Sequence, residues 1–276
     1  MADAKDRPAG TERPDLMKFL QIALFLWLAT SPAHALNRET PLSINADYSA
    51  SVLVFRVGRV ALEAELGHAD YAAQAHIEAA GLAALFTDFS IESGVAGRLT
   101  GAGPRPTHYG HTERTGSKTR IINVDFENGI ARPTAVPEFS SWGEPPASEA
   151  DRTGVADPMT ATLLLSEMVA ASGGAPCEGS LPVFDGKQRY DLVLRSGGTE
   201  WVRTRGWRGE ALVCDAFYQP VSGYDAEDWP EPGETRHPLR LWIAPIADGT
   251  AFLPVRLHTR AGFGGVTVEL RRLELH

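Results

Sequence analysis

The side chains most able to do chemistry lie between Phe184 and Asp191, where the sequence reads FDGKQRYD. Two carboxylates and two cations in this segment would form a polar patch for an anionic or sugar ligand, with Asp185 and Arg189 binding it. The alternative is a structural role, because Asp-Gly favours a two-residue β-hairpin turn with the neighbouring charges on its solvent face. The spacing favours the hairpin.

Two tryptophans follow this segment and extend the candidate ligand-binding set. Trp201 and Trp207 would stack on sugars or line an apolar pocket, although large aromatic side chains more often pack in a core. Arg203, Arg205 and Arg208 lie beside them and make a local basic and aromatic patch. Such a patch would bind an acidic glycan or headgroup, or would simply be a solvated hairpin.

No motif in the sequence assigns a catalytic residue, a metal or a cofactor. His108 and His111 have HxxH spacing, but residues three apart in a strand face opposite sides and do not chelate one ion. A GxSxG nucleophile elbow is absent from the sequence, and residues 101–103 (GAG) lack the third glycine of a dinucleotide-binding loop. The sequence therefore leans away from an enzyme.

Alternation of apolar and polar residues predicts the first strands. Val60–Leu66 and Tyr71–Ala79 are rich in Ala, Glu and Leu, which favour helices, yet their apolar residues recur with a period of two. Gly67–Asp70 between them reads as a turn. We also expect one strand over Tyr48–Val57, ended by Gly58. These segments predict an antiparallel meander that begins near residue 46.

Further strands are expected along most of the remaining chain. Pro106–Thr115 and Lys118–Phe126 have the pattern of a hairpin, and the proline-rich stretch Pro133–Asp157 reads as a loop. Beyond residue 182 the predicted strands are Val183–Phe184, Lys187–Arg195, Gly209–Gln219, Leu239–Ile246, Phe252–Thr259 and Val266–Leu275.

One helix is expected among these strands. Asp157 is a suitable N-cap, Pro158 fits the first turn, and Met159–Ala171 is a run of helix-forming apolar residues. We therefore predict a mainly β fold, an antiparallel meander curled into a barrel or half-barrel, with one helix near residues 158–172.

The N-terminus has the features of a cleaved export signal. Lys18 precedes an apolar run over Phe19–Ala29, and Ala33–Ala35 matches the small-x-small pattern of a signal peptidase site. The run is too short to cross a bilayer permanently, for which about 20 residues are needed; the alternative is a buried N-terminal helix. We expect residues 1–35 to be leader and signal peptide with translation starting at Met17, and residues 36–276 to be a single β-rich periplasmic domain.

Charge and cysteine content limit the partners. The formal net charge is −9, which repels phosphates and excludes nucleic acid as an expected partner. Cys177 and Cys214 are the two cysteines, and in an oxidising periplasm such a pair forms a disulfide. Closing that loop would stabilise the fold by about 4 kcal/mol in the chain-entropy model.

The order of these features resembles the exported proteobacterial proteins grouped as domain of unknown function 3108, over about Ala46–Leu275. The resemblance implies the architecture and the compartment and supplies no catalytic residues. The chain departs from the family in its long leader before Met17 and in Lys187, where arginine is expected. The features that carry the resemblance are Gly58, the strand from Tyr71, Gly81, the Gly97–Tyr109 stretch, Asp157-Pro158 before a helix, Cys177, Phe184–Lys187 with Arg189–Asp191, and Cys214.

Three functions remain open on the sequence. The first is a non-catalytic envelope protein that binds an apolar or amphipathic ligand in its curved sheet. The second is an envelope enzyme acting on polysaccharide, with Asp185, Asp191 and nearby tryptophans forming the cleft. The third is a periplasmic scaffold that binds another protein through the acidic loop Ser222–Pro238. The expected partners are accordingly a lipid, a glycan or an envelope protein, with no permanent membrane span.

Overall fold

The computed structural model describes residues 40–276, apart from residues 82, 86, 172–176, 232, 234, 262 and 263. The expected signal peptide, Met17–Ala35, lies outside the described residues. Within them, thirteen strands form one antiparallel sheet. The strands are β1 Leu42–Val52, β2 Phe55–Leu66, β3 Asp70–Ala79, β4 Phe89–Thr100, β5 Gly103–Thr115, β6 Lys118–Glu127, β7 Ile130–Val136, β8 Gly179–Phe184, β9 Arg189–Arg203, β10 Arg208–Ser222, β11 Leu239–Ile246, β12 Ala251–Ala261 and β13 Gly264–Leu275.

The first and last strands join the sheet at its centre. β1 pairs with both β2 and β13, and consecutive strands then pair outward to the two edges, β7 and β8. In β1 every second side chain from Leu42 to Tyr48 is buried, which is the alternation of a strand with one face on a core. The sheet curls into a nearly closed barrel, so the predicted fold class is confirmed.

A short segment between Arg152 and Ala156 bridges the two edges of the sheet. The backbone N–H of Ala131, in β7, donates to the carbonyl of Arg152 at 2.9 Å. At the other edge, the N–H of Phe184 in β8 donates to the carbonyl of Ala156 at 2.8 Å. The segment thus satisfies edge groups that would otherwise be unpaired.

The predicted helix, α1, spans Pro158–Ala171 and is confirmed. Asp157 caps it, because its Oδ1 accepts the backbone N–H groups of Met159 and Thr160 at 2.9 Å each. The helix packs on β4, β5, β8 and β12. A helix that is apolar around most of its circumference is buried, and α1 accordingly lies inside the barrel.

The predicted strand over Tyr48–Val57 is wrong, because a hairpin turn interrupts it. Val52 pairs with Phe55, and Leu53 and Val54 form the turn between β1 and β2, with Leu53 at a φ of 54°. Two-residue turns of this kind usually carry Asn, Asp or Gly. Here both turn residues are apolar, so no turn was predicted at this position.

Two further boundaries differ from expectation. The predicted loop from Pro133 begins only after Val136, because β7 is an edge strand of the sheet and tolerates a proline. The expected two-residue turn at Asp185-Gly186 is a four-residue loop, since Phe184 pairs with Arg189. The side chain of Asp185 closes this loop through hydrogen bonds to its backbone.

The predicted disulfide between Cys177 and Cys214 is present. It lies in a densely packed cluster that joins α1 to the strands around β8–β11. The buried members of the cluster, besides the two cysteines, are Leu165, Val169, Leu181, Leu194, Ala216, Leu241 and Ile243.

Candidate functional site

An interior cavity of about 580 Å³ separates α1 from one side of the barrel. The inner faces of β1–β5, β12 and β13 line it together with one face of α1, and most of the lining side chains are apolar. Small-molecule sites in proteins typically occupy roughly 300–1,000 Å³ and are lined mainly by apolar groups. The cavity therefore has the size and the lining of a ligand site.

Three alanines among the inward residues of β2 and β3, namely Ala64, Ala73 and Ala75, create this space. Ala64 lies opposite Ala73 in the strand pairing, and Leu62 lies opposite Ala75. All four line the cavity, as does Leu163 of α1. A methyl group reaches much less far from the sheet than a leucine or isoleucine side chain, so the helix and the sheet do not meet here.

The cavity is closed at one end and opens toward the other. At the closed end Leu66 and Tyr71 are buried, and the Tyr71 hydroxyl shares a 2.7 Å hydrogen bond with Thr160 Oγ1 at the start of α1. Further along the same strands, Val60 and Ile77 are only half-buried. The opening therefore faces the end of the barrel that carries the β1–β2 and β5–β6 turns.

One wall of the cavity is polar. His111 and Glu113 lie on the inner face of β5, with His111 Nε2 3.3 Å from Glu113 Oε1. A hydrogen bond from His111 is the main reason why the pKa of Glu113 lies below its usual range. His111 Nδ1 is buried and has no hydrogen-bond partner among the described residues. This nitrogen can therefore form a hydrogen bond with a ligand or a water molecule.

Asp185 completes the polar wall from the β8–β9 loop. Its Oδ1 accepts the backbone N–H groups of Lys187 at 2.9 Å and Gln188 at 2.7 Å. Burial raises the pKa of the Asp185 carboxyl above its usual value, with the two hydrogen bonds from the backbone of Lys187 and Gln188 acting in the opposite direction. Among the described residues that line the cavity, none is lysine or arginine.

The expectation that the charges of the Phe184–Asp191 segment face solvent is wrong for Asp185, which lines the cavity. Arg189 instead holds the residue just before the bridging segment: its Nε donates to the Asp151 carbonyl at 3.0 Å. A terminal nitrogen of Arg189 donates to Asp191 Oδ1 at 2.9 Å. Neither Arg189 nor Asp191 is among the cavity-lining residues.

The two candidate tryptophans lie elsewhere. Trp201 is 71% exposed on β9, and Trp207 is half-buried against the core in the β9–β10 turn. Neither is among the residues that line the cavity. The structure therefore does not gather Asp185, Arg189, Trp201 and Trp207 into one site.

The histidine pair behaves as strand geometry requires. His108 is exposed and its Nδ1 lies 2.8 Å from Asp125 Oδ1, whereas His111 points into the barrel. Within the described part of the chain, no cluster of three or more His, Cys, Asp or Glu side chains is arranged to hold a metal ion. The sequence signal for the cavity was the alternation in β2 and β3, combined with alanine at the inward positions 64, 73 and 75.

The acidic loop Ser222–Pro238 is tied to the barrel at its start. Asp225 forms a 2.6 Å ion pair with Lys187, and the Trp229 ring stacks on Tyr224 with centroids 4.9 Å apart. Trp229 Nε1 also donates to the Glu144 carbonyl at 3.2 Å. The described helices include none with the length and apolar character needed to cross a bilayer.

Comparisons with known proteins agree with this architecture. The family model described as "Protein of unknown function (DUF3108)" matches residues 46–271. Among solved structures, the crystal structure of a β-barrel-like protein of domain of unknown function DUF1849 from Brucella abortus is similar, with a TM-score of 0.51 and 11% identity. The match covers 86% of this chain and 97% of that chain, and at this identity it speaks for the fold alone. No curated protein matches the sequence.

Proposed function

We propose that this chain, which belongs to the DUF3108 family of proteins of unknown function, binds an apolar or amphipathic ligand inside its barrel as a non-catalytic periplasmic protein. The observation that carries the proposal is the cavity of about 580 Å³ between α1 and the inner sheet. An unfilled apolar space of this size weakens packing, because the atoms around it lose contacts that a filled core would provide. A ligand would restore those contacts.

The polar wall favours an amphipathic ligand over a purely apolar one. The apolar body would lie along Ala73, Ala75 and Leu163, and its polar group would reach His111 and Glu113. A hydroxyl or amine on the ligand would satisfy the free His111 Nδ1 or donate to the Glu113 carboxylate. The absence of lysine and arginine among the described lining residues disfavours a carboxylate or phosphate at this position.

The disulfide supports the periplasmic part of the proposal. Cys177 and Cys214 are joined in the interior, where a pair of thiols would otherwise be two small apolar side chains. Disulfides persist mainly in oxidising compartments. An N-terminal sequence of the protein isolated from the periplasm, beginning near residue 36, would support export; a protein that keeps its first 35 residues in the cytoplasm would contradict it.

The ligand proposal is tested by blocking the cavity from within. Ala75 points into the cavity, whereas its neighbour Gln74 is exposed on the outer face of β3. Ala75→Trp should weaken binding of the fluorescent apolar probe N-phenylnaphthylamine by roughly tenfold or more, a loss that corresponds to about 1.4 kcal/mol. Gln74→Trp adds the same ring outside and should leave the affinity unchanged.

Native mass spectrometry of the gently extracted protein provides a second readout. We expect an additional bound mass in the wild-type protein and in Gln74→Trp, and its loss in Ala75→Trp. Equal probe affinity in all three proteins, with no bound mass in any of them, would contradict the proposal. Thermal unfolding of each variant shows whether it is folded.

A second candidate function, catalysis within the cavity, has one specific observation in its favour. Glu113 and Asp185 line the same cavity, and the pKa of the first lies below its usual range while that of the second lies above it. Two carboxyls whose pKa values are shifted in opposite directions suit a general base and a general acid. The apolar lining favours a lipid-like substrate over the polysaccharide considered from the sequence.

Catalysis predicts that the co-purified ligand is converted. Glu113→Gln should then retain the bound ligand but stop its conversion, as followed by mass spectrometry over time. If the wild-type protein holds the ligand without converting it, the binding function is supported and the catalytic function is contradicted.

A further inference from the structure

The turn between β1 and β2 exposes three consecutive large apolar side chains. Leu53, Val54 and Phe55 have exposed fractions of 67%, 86% and 54%, and we refer to them as the hairpin tip. Leu53 also has a positive φ of 54°, a conformation that costs energy for leucine and suits asparagine or glycine. Asparagine or glycine would make the same turn without this cost, so the apolar tip points to contacts outside the barrel.

A groove with several arginines begins at this tip. It runs along the outer faces of β1, β2 and β13, and Val54 forms part of it. We call it the basic groove; its four arginines are Arg56 and Arg59 from β2, Arg205 from the β9–β10 turn, and Arg271 from β13. Arg205 and Arg271 are distant from the β2 arginines in the sequence and are brought beside them only by the fold.

The groove keeps a local excess of positive charge. Arg59 forms a 3.3 Å ion pair with Glu78, whereas Arg56, Arg205 and Arg271 form no ion pair within the described part of the chain. Of the two acidic residues in the groove, Asp47 and Glu269, the second is already paired with Arg256 at 2.7 Å. A chain with a net charge of −9 therefore carries a positive surface beside three consecutive exposed apolar side chains.

We propose that the hairpin tip and the basic groove dock this protein onto an anionic lipid bilayer, with the tip entering the headgroup region and the arginines contacting phosphates. Apolar side chains flanked by cations are the combination that holds proteins at a membrane interface. A soluble anionic glycan or free phosphate would engage the arginines and leave the tip unused. The bilayer is the occupant that uses both features.

The geometry also places the hairpin tip near the cavity opening, since both lie at the end of the barrel that carries the β1–β2 turn. If the cavity binds an amphipathic ligand, docking would bring its opening close to a lipid source. The docking proposal itself does not depend on that function, and its test uses no cavity ligand.

The first experiment measures co-sedimentation of the full chain with vesicles of phosphatidylcholine alone or mixed with phosphatidylglycerol. Binding should require the anionic lipid and fall with added salt. Leu53→Asn combined with Val54→Ser and Phe55→Ser should abolish most of it. Arg205→Gln with Arg271→Gln should weaken it about fivefold for each arginine removed. The matched control, Arg98→Gln with Arg105→Gln, removes two exposed arginines at the opposite end of the barrel and should change nothing.

The second experiment tests whether the hairpin tip itself contacts the membrane, whatever residues 1–35 do. A single added cysteine, Val54→Cys or the control Ala102→Cys in the exposed β4–β5 turn, is labelled with an environment-sensitive dye, because Cys177 and Cys214 are already joined. Anionic vesicles should shift the emission of the dye at residue 54 to shorter wavelength and leave the dye at residue 102 unchanged.

Several results would overturn the proposal. One is equal binding to neutral and anionic vesicles by the tip variant, the groove variant and the wild-type protein. Another is an emission shift at residue 102 equal to that at residue 54. A third is binding of a soluble anionic glycan, such as heparin, that matches vesicle binding in strength and is insensitive to the tip substitutions; it would assign the groove to a glycan.

Discussion

The barrel interior is tightly packed on one side of α1 and holds a cavity on the other, although the same helix borders both. On the packed side, Leu165 of α1 meets Ile243 and other large side chains of β8–β11 around the disulfide. On the cavity side, α1 faces Ala73 and Ala75 of β3 across an unfilled space. Both sides follow the same in-and-out alternation. The size of the inward side chains therefore decides whether a barrel of this kind holds a core or a cavity.

The disulfide gives the largest expected effect and belongs wholly to the packed side. Replacing Cys177 and Cys214 together by alanine should lower the free energy of unfolding by about 4 kcal/mol in the chain-entropy model. Denaturant titration under non-reducing conditions measures it. Probe binding in the cavity should survive below the unfolding transition; its complete loss in the folded variant would show that the two sides are not independent.

Isoleucines on the two sides allow a matched comparison. Ile243 is fully buried at 0% exposure, whereas Ile77 is half-buried at the cavity wall. Ile243→Ala should cost about 3 kcal/mol, because it opens a void in a filled core. Ile77→Ala should cost only about 1 kcal/mol, because the space beside it is already open. Equal losses in the free energy of unfolding for the two variants, measured by chemical denaturation, would contradict the difference between the packed side and the cavity side.

Adding side-chain volume should have opposite effects on the two sides. Ala216 is 2% exposed within the packed cluster, and Ala216→Leu should destabilise the fold by about 1–3 kcal/mol through overpacking. Ala73→Leu extends into the cavity and should be neutral or stabilising. The melting temperatures of the two variants, compared with that of the wild-type protein, give the sign of each effect. Destabilisation by Ala73→Leu as large as that by Ala216→Leu would mean that the space is not available.

The smallest expected effect is a pH dependence that arises at the polar wall. Because burial raises the pKa of Asp185, its protonated form stabilises the fold below the usual aspartate pKa. That contribution is lost as the pH rises through the raised folded-state value. Asp185→Asn keeps the oxygen that accepts the two loop N–H bonds and removes the charge near His111 and Glu113.

The stability of Asp185→Asn relative to the wild-type protein should therefore increase from acidic to neutral pH, as followed by denaturant midpoints across that range. Asp228→Asn, in the exposed part of the Ser222–Pro238 loop, serves as the control and should run parallel to the wild-type curve. A constant offset between Asp185→Asn and wild type at every pH would show that Asp185 is not held in a desolvated site.

The architecture could be predicted from the sequence, but only part of the candidate site could. Period-two alternation, as in Tyr71–Ala79, correctly indicated strands despite helix-favouring composition, because a strand in a half-buried sheet must alternate. The turn at Leu53 and Val54 escaped notice, since turn chemistry is read from Gly, Asn and Asp and neither residue is one of these. The N-terminal signal lies outside the described residues and stays a prediction.

The candidate site was harder to foresee because it depends on contacts between distant segments. Asp185 was placed in a turn by its Asp-Gly dipeptide, but its burial beside His111 required the barrel to close. The net charge of −9 pointed away from phosphate-bearing partners. The sequence placed Arg205 in a local basic patch, but it did not indicate that the fold brings this residue beside Arg56, Arg59 and Arg271. Charge averaged over a chain says little about one surface of the fold.

The location of a bound apolar chain is the most direct test of a ligand cavity inside this barrel. Crystals grown with a brominated long-chain alcohol would reveal the bromine by its anomalous scattering. We predict the peak between α1 and β3, near Ala75 and Leu163, with the hydroxyl directed to the wall formed by His111 and Glu113. A cavity that remains empty at saturating ligand, or bromine found only on the outer surface, would contradict the account.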